Sequence, residues 1–303
     1  MLVTDSRIVP VVVINEADRA EALGLSWLRQ PLPWQEIEPE QGQFAWERWD
    51  RIIAGASARG FELVLVIRTT PEWARREGEL DNPFAPPSEE ELGLLADFAR
   101  AAAERYGARV LGWELWEEPN LAPNWGTNLI LIPEEYATLL SVVAPAIRAA
   151  DPDAVVATAA LGPTAETGGY NMSEPRFLDG LYAAGGAAYF DAVTLKPYGF
   201  DRVVLAREVM AAHGDEATPI WFAEGGWAAL PPDWAGAPSP WGSDSAEYQQ
   251  ARLESAIKRV ALEWPWVTRI ALQPLQPAVA PDDPRWGLAM LDRSGEVTPL
   301  GES

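Results

Sequence analysis

The chain has 303 residues, 48% of them hydrophobic, with a formal net charge of −22, no cysteine and one histidine, His213. These counts exclude disulfides, thiol nucleophiles, thiolate metal sites and a metal site built from several histidines. The strong negative charge disfavours nucleic acid and anionic lipid as partners, and it favours a neutral or cationic substrate.

In the first half of the chain, β-rich apolar runs alternate with helical segments, which favours parallel βα units. The predicted strands are Ile8–Ile14, Ser26–Gln30, Phe61–Ile67 and Val110–Trp116. The predicted helices are Glu16–Leu23, Phe44–Arg59 and Ser88–Arg105, the last opening with the capping box Ser88-Glu89-Glu90-Glu91. Gly60 is typical of the left-handed residue that follows a helix.

The second half continues the alternation. Its predicted strands are Ala154–Leu161, Phe190–Leu195, Ile220–Ala223 and Val267–Leu272, and its predicted helices are Pro133–Ala150, with a kink at Pro145, Arg176–Ala184, Val203–His213 and Glu247–Leu262. Trp286–Ser303 is too short for a full eighth helix. Eight strands close a parallel barrel, whereas an open doubly wound sheet should show a glycine-rich phosphate turn that is absent here. The sequence therefore predicts an α/β fold, a (β/α)8 TIM barrel forming one domain over residues 1–303.

Membrane and targeting signals are weak. No segment approaches the roughly 20 apolar residues that span a bilayer, and Ile8–Ile14 lacks the basic flank of a signal peptide. We therefore expect no membrane insertion. A cytoplasmic location, export after removal of a leader, and origin from a longer protein all stay open, as does the oligomeric state.

Two predicted strands end in carboxylates. The fourth leads into Glu117-Glu118-Pro119-Asn120 and the seventh into Glu224-Gly225-Gly226-Trp227. Barrel active sites form at these strand ends, and an unpaired carboxylate beside a buried strand is costly. A salt bridge at the barrel rim explains either residue alone equally well. Glu118 and Glu224 together indicate the acid and nucleophile or base of glycosidic cleavage, with a separation of about 5–5.5 Å for retention or about 6.5–9.5 Å for inversion.

The residues around both carboxylates resemble a known family. Trp116–Asn120 resembles the Trp-Asn-Glu-Pro signature of clan A glycoside hydrolases, and Trp221–Trp227 resembles their strand-seven nucleophile segment. The likeness extends through Trp34–Gly42, Trp46–Asp50, Thr70–Ala74 and Pro145–Leu161, and is closest to family 39-like and family 5-like β-glycosidases. It implies a retaining (β/α)8 enzyme without a cofactor, with Glu118 as acid/base and Glu224 as nucleophile. It further implies that Arg29 keeps Glu224 ionised and that Tyr198 hydrogen-bonds it.

Three departures from the family pattern matter. Glu117 replaces an Asn that contacts the sugar 2-hydroxyl, Lys196 replaces the His of a His-Pro-Tyr segment, and strand eight lacks a Trp that often forms the floor of the −1 subsite. The first two introduce opposite charges, so we predict that Glu117 and Lys196 form an ion pair. The departures leave open a catalytically weakened barrel that binds carbohydrate or a partner protein. A metal-dependent hydrolase is disfavoured because the strand ends offer no His ligands.

The remaining candidates are aromatic or acidic. Six of the 15 Trp lie in or beside loops at the predicted active end, where a Trp either stacks on sugar or fills the core: Trp34, Trp73, Trp125, Trp227, Trp234 and Trp241. The predicted substrate-binding set is Arg29, Trp34, Glu117, Lys196, Tyr198 and Trp227. Glu36, Glu38 and Glu40 predict a solvated loop. An oligo- or polysaccharide is the expected partner, with the sugar, the linkage and endo or exo action undetermined.

Overall fold

The alternation of apolar strands and helical segments is present in the computed structural model, which describes residues 8–11, 17–127, 130–166, 168–198, 202–240, 242–275, 277, 279–298 and 300. Within these residues the strands are β1 (Ile8–Val11), β2 (Trp27–Pro33), β3 (Glu62–Arg68), β4 (Gly112–Glu117), β5 (Val155–Ala160), β6 (Val193–Leu195), β7 (Ile220–Phe222) and β8 (Val267–Pro274). The α-helices are α1 (Ala17–Ala22), α2 (Trp34–Ile37), α3 (Glu47–Ala58), α4 (Leu92–Tyr106), α5 (Ala122–Trp125), α6 (Pro133–Ala150), α7 (Glu174–Ala183), α8 (Val203–Ala212) and α9 (Ala246–Glu263).

The strands are parallel and neighbours in the sequence are neighbours in space. One ladder runs β2-β3-β4-β5 and the other β1-β8-β7-β6, so the first and last strands pair. Hydrogen bonds join β5 to β6, among them Thr158 N to Ala192 O at 3.0 Å and Lys196 N to Leu161 O at 2.9 Å. β1 also lies against β2. This is the predicted (β/α)8 barrel.

The barrel has a small apolar interior and a large outer core. Alternate side chains of a strand point to opposite faces, and one set forms an inner cluster of Trp27, Val64, Ala157, Ala192, Trp221 and Ala271. The outward set packs against the helices in a much larger cluster. Arg29 lies two residues after Trp27, and Glu114 lies two residues after Gly112. Their side chains therefore point to the inner side of the barrel as well. The barrel therefore carries charged side chains inside its ring of strands.

Most predicted elements occur with shifted ends. α3 ends before Gly60, whose φ of +79° matches the predicted left-handed residue. β2 runs on to Pro33 and β8 to Pro274, whereas β6 begins only at Val193. Residues 12–14 of the first predicted strand lie outside the described residues, and the kink at Pro145 stays a prediction. After β8 the described residues contain only a 3-10 helix, Pro284–Leu288, in agreement with a short or missing eighth helix.

Within the described part of the chain, no helix is both long and apolar enough to cross a membrane.

Candidate active site

Five of the predicted site residues follow strands β4, β6 and β7. Glu117 ends β4 and Glu118 comes next, Lys196 directly follows β6 with Tyr198 two residues later, and Glu224 lies two residues beyond β7. Because all these strands are parallel, their carboxyl ends meet at the same end of the barrel. The residues therefore converge although more than 100 positions separate Glu118 from Glu224.

The backbone at the end of β4 is distorted. Trp116 has a φ of +79° and Glu118 a φ of +45°, a region that side-chain-bearing residues rarely adopt. The ladder to β5 pairs Leu115 with Thr158 and then Glu117 with Ala160. A regular strand would send Glu117 and Glu118 to opposite faces. The distortion instead lets two consecutive carboxylates reach the same cluster, and such strain typically marks functional sites.

Lys196 lies at the centre of the site. Its Nζ is 2.6 Å from Glu117 Oε1, 3.0 Å from Glu118 Oε1 and 3.0 Å from Glu224 Oε2. These last two oxygens are therefore at most twice 3.0 Å apart. The predicted ion pair between Glu117 and Lys196 is present, and Lys196 also contacts both candidate catalytic carboxylates.

Side-chain exposure divides the cluster into two layers. Glu118 and Glu224 keep 20% and 24% of their side-chain surface exposed, whereas Glu117 and Lys196 keep 9% each. Tyr198 donates a hydrogen bond of 2.5 Å to Glu224 Oε1, as predicted. Glu118 and Glu224 are therefore the two carboxylates of the Lys196 cluster that are open to solvent.

Beneath this layer Arg29 forms a buried ion-pair network. Its guanidinium donates to both oxygens of Glu114, at 2.9 and 2.6 Å, and to Glu117 Oε2 at 2.8 Å. Arg68, which ends β3, lies 3.7 Å from the same Glu117 oxygen. The prediction that Arg29 keeps Glu224 ionised is wrong, because Arg29 is bound to the two carboxylates of β4, whereas Lys196 forms an ion pair with Glu224.

The network keeps these groups charged. Burial raises the pKa of Glu224, but the Lys196 ammonium and the Tyr198 hydroxyl outweigh it, so that the pKa lies below its ordinary value. Burial also raises the pKa of Glu117, but Arg29, Lys196 and Arg68 outweigh it and hold the pKa well below its ordinary value. Burial alone would lower the pKa of Lys196, but its three carboxylates raise it well above the usual value. Glu224 is therefore ionised at neutral pH.

Glu118 is held from two sides. Asn124 Nδ2 donates to its Oε2 at 2.6 Å, and Lys196 lies at its Oε1. A Cβ on Gly162 would lie 2.9 Å from Glu118 Oε1, so a larger residue at this position would displace the carboxylate. The buried Asn120 fixes Gly162 by accepting from its N at 3.0 Å and donating to its O at 2.7 Å.

Sequence reasoning missed several members of this site. The sequence motifs assign no role to Arg68, Glu114, Asn124 and Gly162. Glu114 carries a signal in the sequence, because a charged residue inside an otherwise apolar strand needs a buried partner. Asn124 and Gly162 carry none, since their contacts depend on the loops after β4 and β5.

The predicted Trp platforms do not all reach the surface. Trp34 is fully buried, stacks on Phe98 with ring centroids 5.8 Å apart and donates to Glu38. The prediction that Trp34 contacts substrate is therefore wrong, and the same burial removes Trp125. Glu38 is buried as well, so that the predicted solvated acidic run holds only for Glu36 and Glu40.

The other Trp side chains differ in position. Trp73 and Trp227 are half-buried, and Trp241 lies outside the described residues. Trp234 and Trp286 line a cavity of about 780 Å³ between the loop after β7 and the C-terminal segment. Among the described residues no group of His, Asp and Glu side chains is arranged to hold a metal ion.

Comparison by sequence gives no relatives, because no protein-family model and no curated protein matches the chain. Comparison of structures gives many. A family 39 glycoside hydrolase from Bacteroides cellulosilyticus WH2 matches with a TM-score of 0.72 at 18% identity, over 98% of this chain and 62% of that one. A β-xylosidase from Caulobacter crescentus CB15 matches with 0.68 at 20%, over 98% and 66%. A GH5_18 structure from Streptomyces cattleya matches with 0.70 at 16%, over 98% and 78%.

These matches concern the fold. The resemblance to family 39 and family 5 glycoside hydrolases that the sequence indicates is confirmed at that level, across nearly the whole chain. The chain spans less than two thirds of the length of the family 39 structure and about two thirds of the β-xylosidase.

Proposed function

We propose that the chain is a retaining β-glycosidase that hydrolyses O-glycosidic bonds of a neutral glycan, with Glu118 as acid/base and Glu224 as nucleophile. The observation that carries the proposal is the convergence of these two partly exposed carboxylates on one point, Lys196 Nζ, 3.0 Å from an oxygen of each. The resulting upper limit on their oxygen separation supports the short spacing of retaining enzymes, about 5–5.5 Å, over the longer spacing of inverting ones.

The chemistry follows from the ionisation of the pair. Glu224 attacks the anomeric carbon and forms a glycosyl ester, while the bond from that carbon to the leaving oxygen breaks and Glu118 gives its proton to that oxygen. Glu118 then takes a proton from water, which attacks the same carbon and releases Glu224. The lowered pKa of Glu224 supports its role as the attacking group.

The substrate is proposed only as a class. Structural neighbours include a β-xylosidase and an exo-β-1,4-mannosidase, which differ in their sugar. The proposal is therefore limited to β-linked glycosides without a charged group.

A panel of nitrophenyl β-glycosides tests the proposal. We expect Glu224→Gln to abolish turnover, and Glu118→Gln to reduce it by about 10²–10⁴-fold for a poor leaving group, as removal of a general acid does. The Glu118 loss should shrink for dinitrophenyl glycosides, whose leaving group needs no proton. Glu104→Gln, at an exposed position on α4, is the matched control.

The stereochemistry gives a second check. NMR of the first product formed should show the β-anomer of the sugar. An α-anomer would overturn the double-displacement mechanism, and full activity in either active-site variant would overturn the assignment of that residue.

One observation favours a second candidate, a barrel that binds carbohydrate or a protein partner without cleaving it. The Lys196 ammonium contacts Glu118 as well as Glu224, so that one oxygen of the candidate acid already faces a protein cation before any substrate binds. Saturable oligosaccharide binding in calorimetry, with no turnover of any glycoside in the panel, would select this candidate.

A further inference from the structure

The Lys196 ammonium lies among three carboxylates of the protein. It has three N–H donors, and three carboxylate oxygens lie within 3.0 Å of it, one each from Glu117, Glu118 and Glu224. These residues belong to the ends of β4 and β7, while Lys196 follows β6. One buried side chain therefore connects three separate parts of the barrel end.

Glu117 is also used within the protein. Its Oε1 faces Lys196 at 2.6 Å, and its Oε2 accepts from Arg29 at 2.8 Å with Arg68 at 3.7 Å. The residue as a whole is only 7% exposed. Both oxygens lie against cations of the protein, and Oε1 has almost no exposed surface, so a sugar hydroxyl has little access to Glu117.

The charges of the buried cluster depend on one another. The charge cluster, as we define it, contains four carboxylates and three cations: Glu114, Glu117, Glu118, Glu224, Arg29, Arg68 and Lys196. It is neutral when one carboxylate holds a proton. Loss of Lys196 alone leaves three carboxylates without their shared cation, and loss of Glu117 alone leaves three cations around a missing charge. Loss of both leaves the balance unchanged.

We infer that Lys196 is a positioning residue, which holds Glu118 and Glu224 at their working separation, and that Glu117 is its counter-ion and not a ligand of the sugar. The inference rests on the proposed function, because it assigns how that catalytic pair is held. It changes the role of Glu117 from substrate binding to support of Lys196.

A double-mutant cycle tests the coupling. The proteins are the wild type, K196M, E117Q and K196M/E117Q, with K258M on the exposed face of α9 as a control for Lys→Met. We expect each single change to lower kcat/KM by about 100-fold, as a misplaced catalytic group does. The double variant should lose a similar factor. A loss equal to the product of the two single losses would overturn the inference.

The pH profile separates positioning from general damage. In K196M the carboxylate of Glu224 loses its cation but keeps Tyr198, and the other charged groups that face it are Glu117, Glu118 and Arg285. The acid limb of kcat/KM should therefore move to higher pH by about 1 unit or more. K196R should keep the wild-type acid limb, since its charge remains, but lose kcat because a planar guanidinium cannot place three donors as an ammonium does. An unmoved limb in K196M would contradict the inference.

Glu117 has its own test. If E117Q removed a contact to the sugar 2-hydroxyl, it would reduce kcat/KM for an ordinary glycoside far more than for its 2-deoxy analogue. We expect equal reductions for both. A selective loss on the 2-hydroxy substrate would return Glu117 to the sugar-binding set.

Thermal unfolding decides the coupling without activity. K196M and E117Q should both unfold at lower temperature than the wild type, and the double variant should unfold above the less stable single variant. A double variant below both would overturn the coupling. If the wild type turned over no glycoside, the proposed function would fail while these unfolding data still decided whether Lys196 and Glu117 act as a unit.

Discussion

Gly162 shows how closely the loops pack around Glu118. A methyl group added at Gly162 would lie 2.9 Å from Glu118 Oε1 and would also crowd the Leu121 side chain. Asn120 holds Gly162 in place by two hydrogen bonds, so the loop has little freedom to move away. The position of the Glu118 carboxylate therefore depends on the absence of a side chain at position 162.

Gly162→Ala should reduce kcat/KM by about 10²-fold, because the added methyl group displaces the Glu118 carboxylate. The unfolding midpoint should change little, since φ at this position is not in the left-handed region. Steady-state kinetics on a nitrophenyl glycoside and a thermal scan measure both. Gly93→Ala, at an exposed helix position with open space around it, is the control. Unchanged activity in Gly162→Ala would show that Glu118 is held more loosely than its contacts indicate.

For single residues, the sequence predicted which side chains belong to the candidate site better than it predicted their contacts. Glu118 and Glu224 follow from their strand-end positions and motifs, and the Glu117–Lys196 pair from two replacements of opposite sign. The partners of Arg29 could not be predicted, because its side chain reaches past β3 to the inward-facing carboxylates of β4. Trp34 was misplaced because helix α2 begins there and turns the ring onto Phe98 in the outer core.

Among the elements, α6 supports the distorted end of β4. Tyr136 on this helix is fully buried, and its hydroxyl donates to Leu115 O at 2.8 Å and accepts from Ala159 N at 2.5 Å. It thus bridges β4 and β5 beside Trp116, where the regular ladder is interrupted. A helix side chain takes over hydrogen bonding that the strands cannot complete.

Tyr136→Phe should destabilise the protein by about 1–3 kcal/mol, because the buried Ala159 N–H loses its acceptor. Urea unfolding followed by circular dichroism measures the loss, and Tyr248→Phe at an exposed position is the matched control. A loss no larger than that of the control would mean that Ala159 finds another acceptor.

The elements themselves were predictable because buried parallel strands are continuous apolar runs and helix ends carry Gly or capping residues. Their ends were less predictable. β2 continues through Gln30 and two prolines to Pro33, because its register with β3 and not its composition decides where pairing stops.

For the whole molecule, a net charge of −22 acts on stability from a distance. Exposed carboxylates repel one another, and salt weakens this repulsion because the screening length falls from about 30 Å at 0.01 M to about 10 Å at 0.1 M. The charge cluster is partly or fully buried at every member and is screened less. Salt and acid should therefore affect different parts of the protein.

At pH 7 the unfolding temperature should rise with NaCl between these two concentrations. Glu117 and Glu224 have folded pKa values below the unfolded value of about 4.3. They therefore stabilise the fold above that pH and lose this contribution as the pH falls towards their folded pKa. Scanning calorimetry across pH and salt should show a steep acid loss that salt does not remove. An unfolding temperature that does not change with NaCl at pH 7 would contradict the predicted repulsion between exposed carboxylates.

The contact between Arg29 and Glu114 sets a limit on how far the molecule can be made more robust. Replacing a buried ion pair with hydrophobic side chains of similar volume often leaves the free energy of unfolding unchanged or increases it. Here the same guanidinium also holds Glu117, and through it the ammonium between the two outer carboxylates. Replacing Arg29 and Glu114 with apolar residues would therefore raise the stability of the barrel to unfolding. It would also remove the contact that holds Glu117, and with it the support of Lys196.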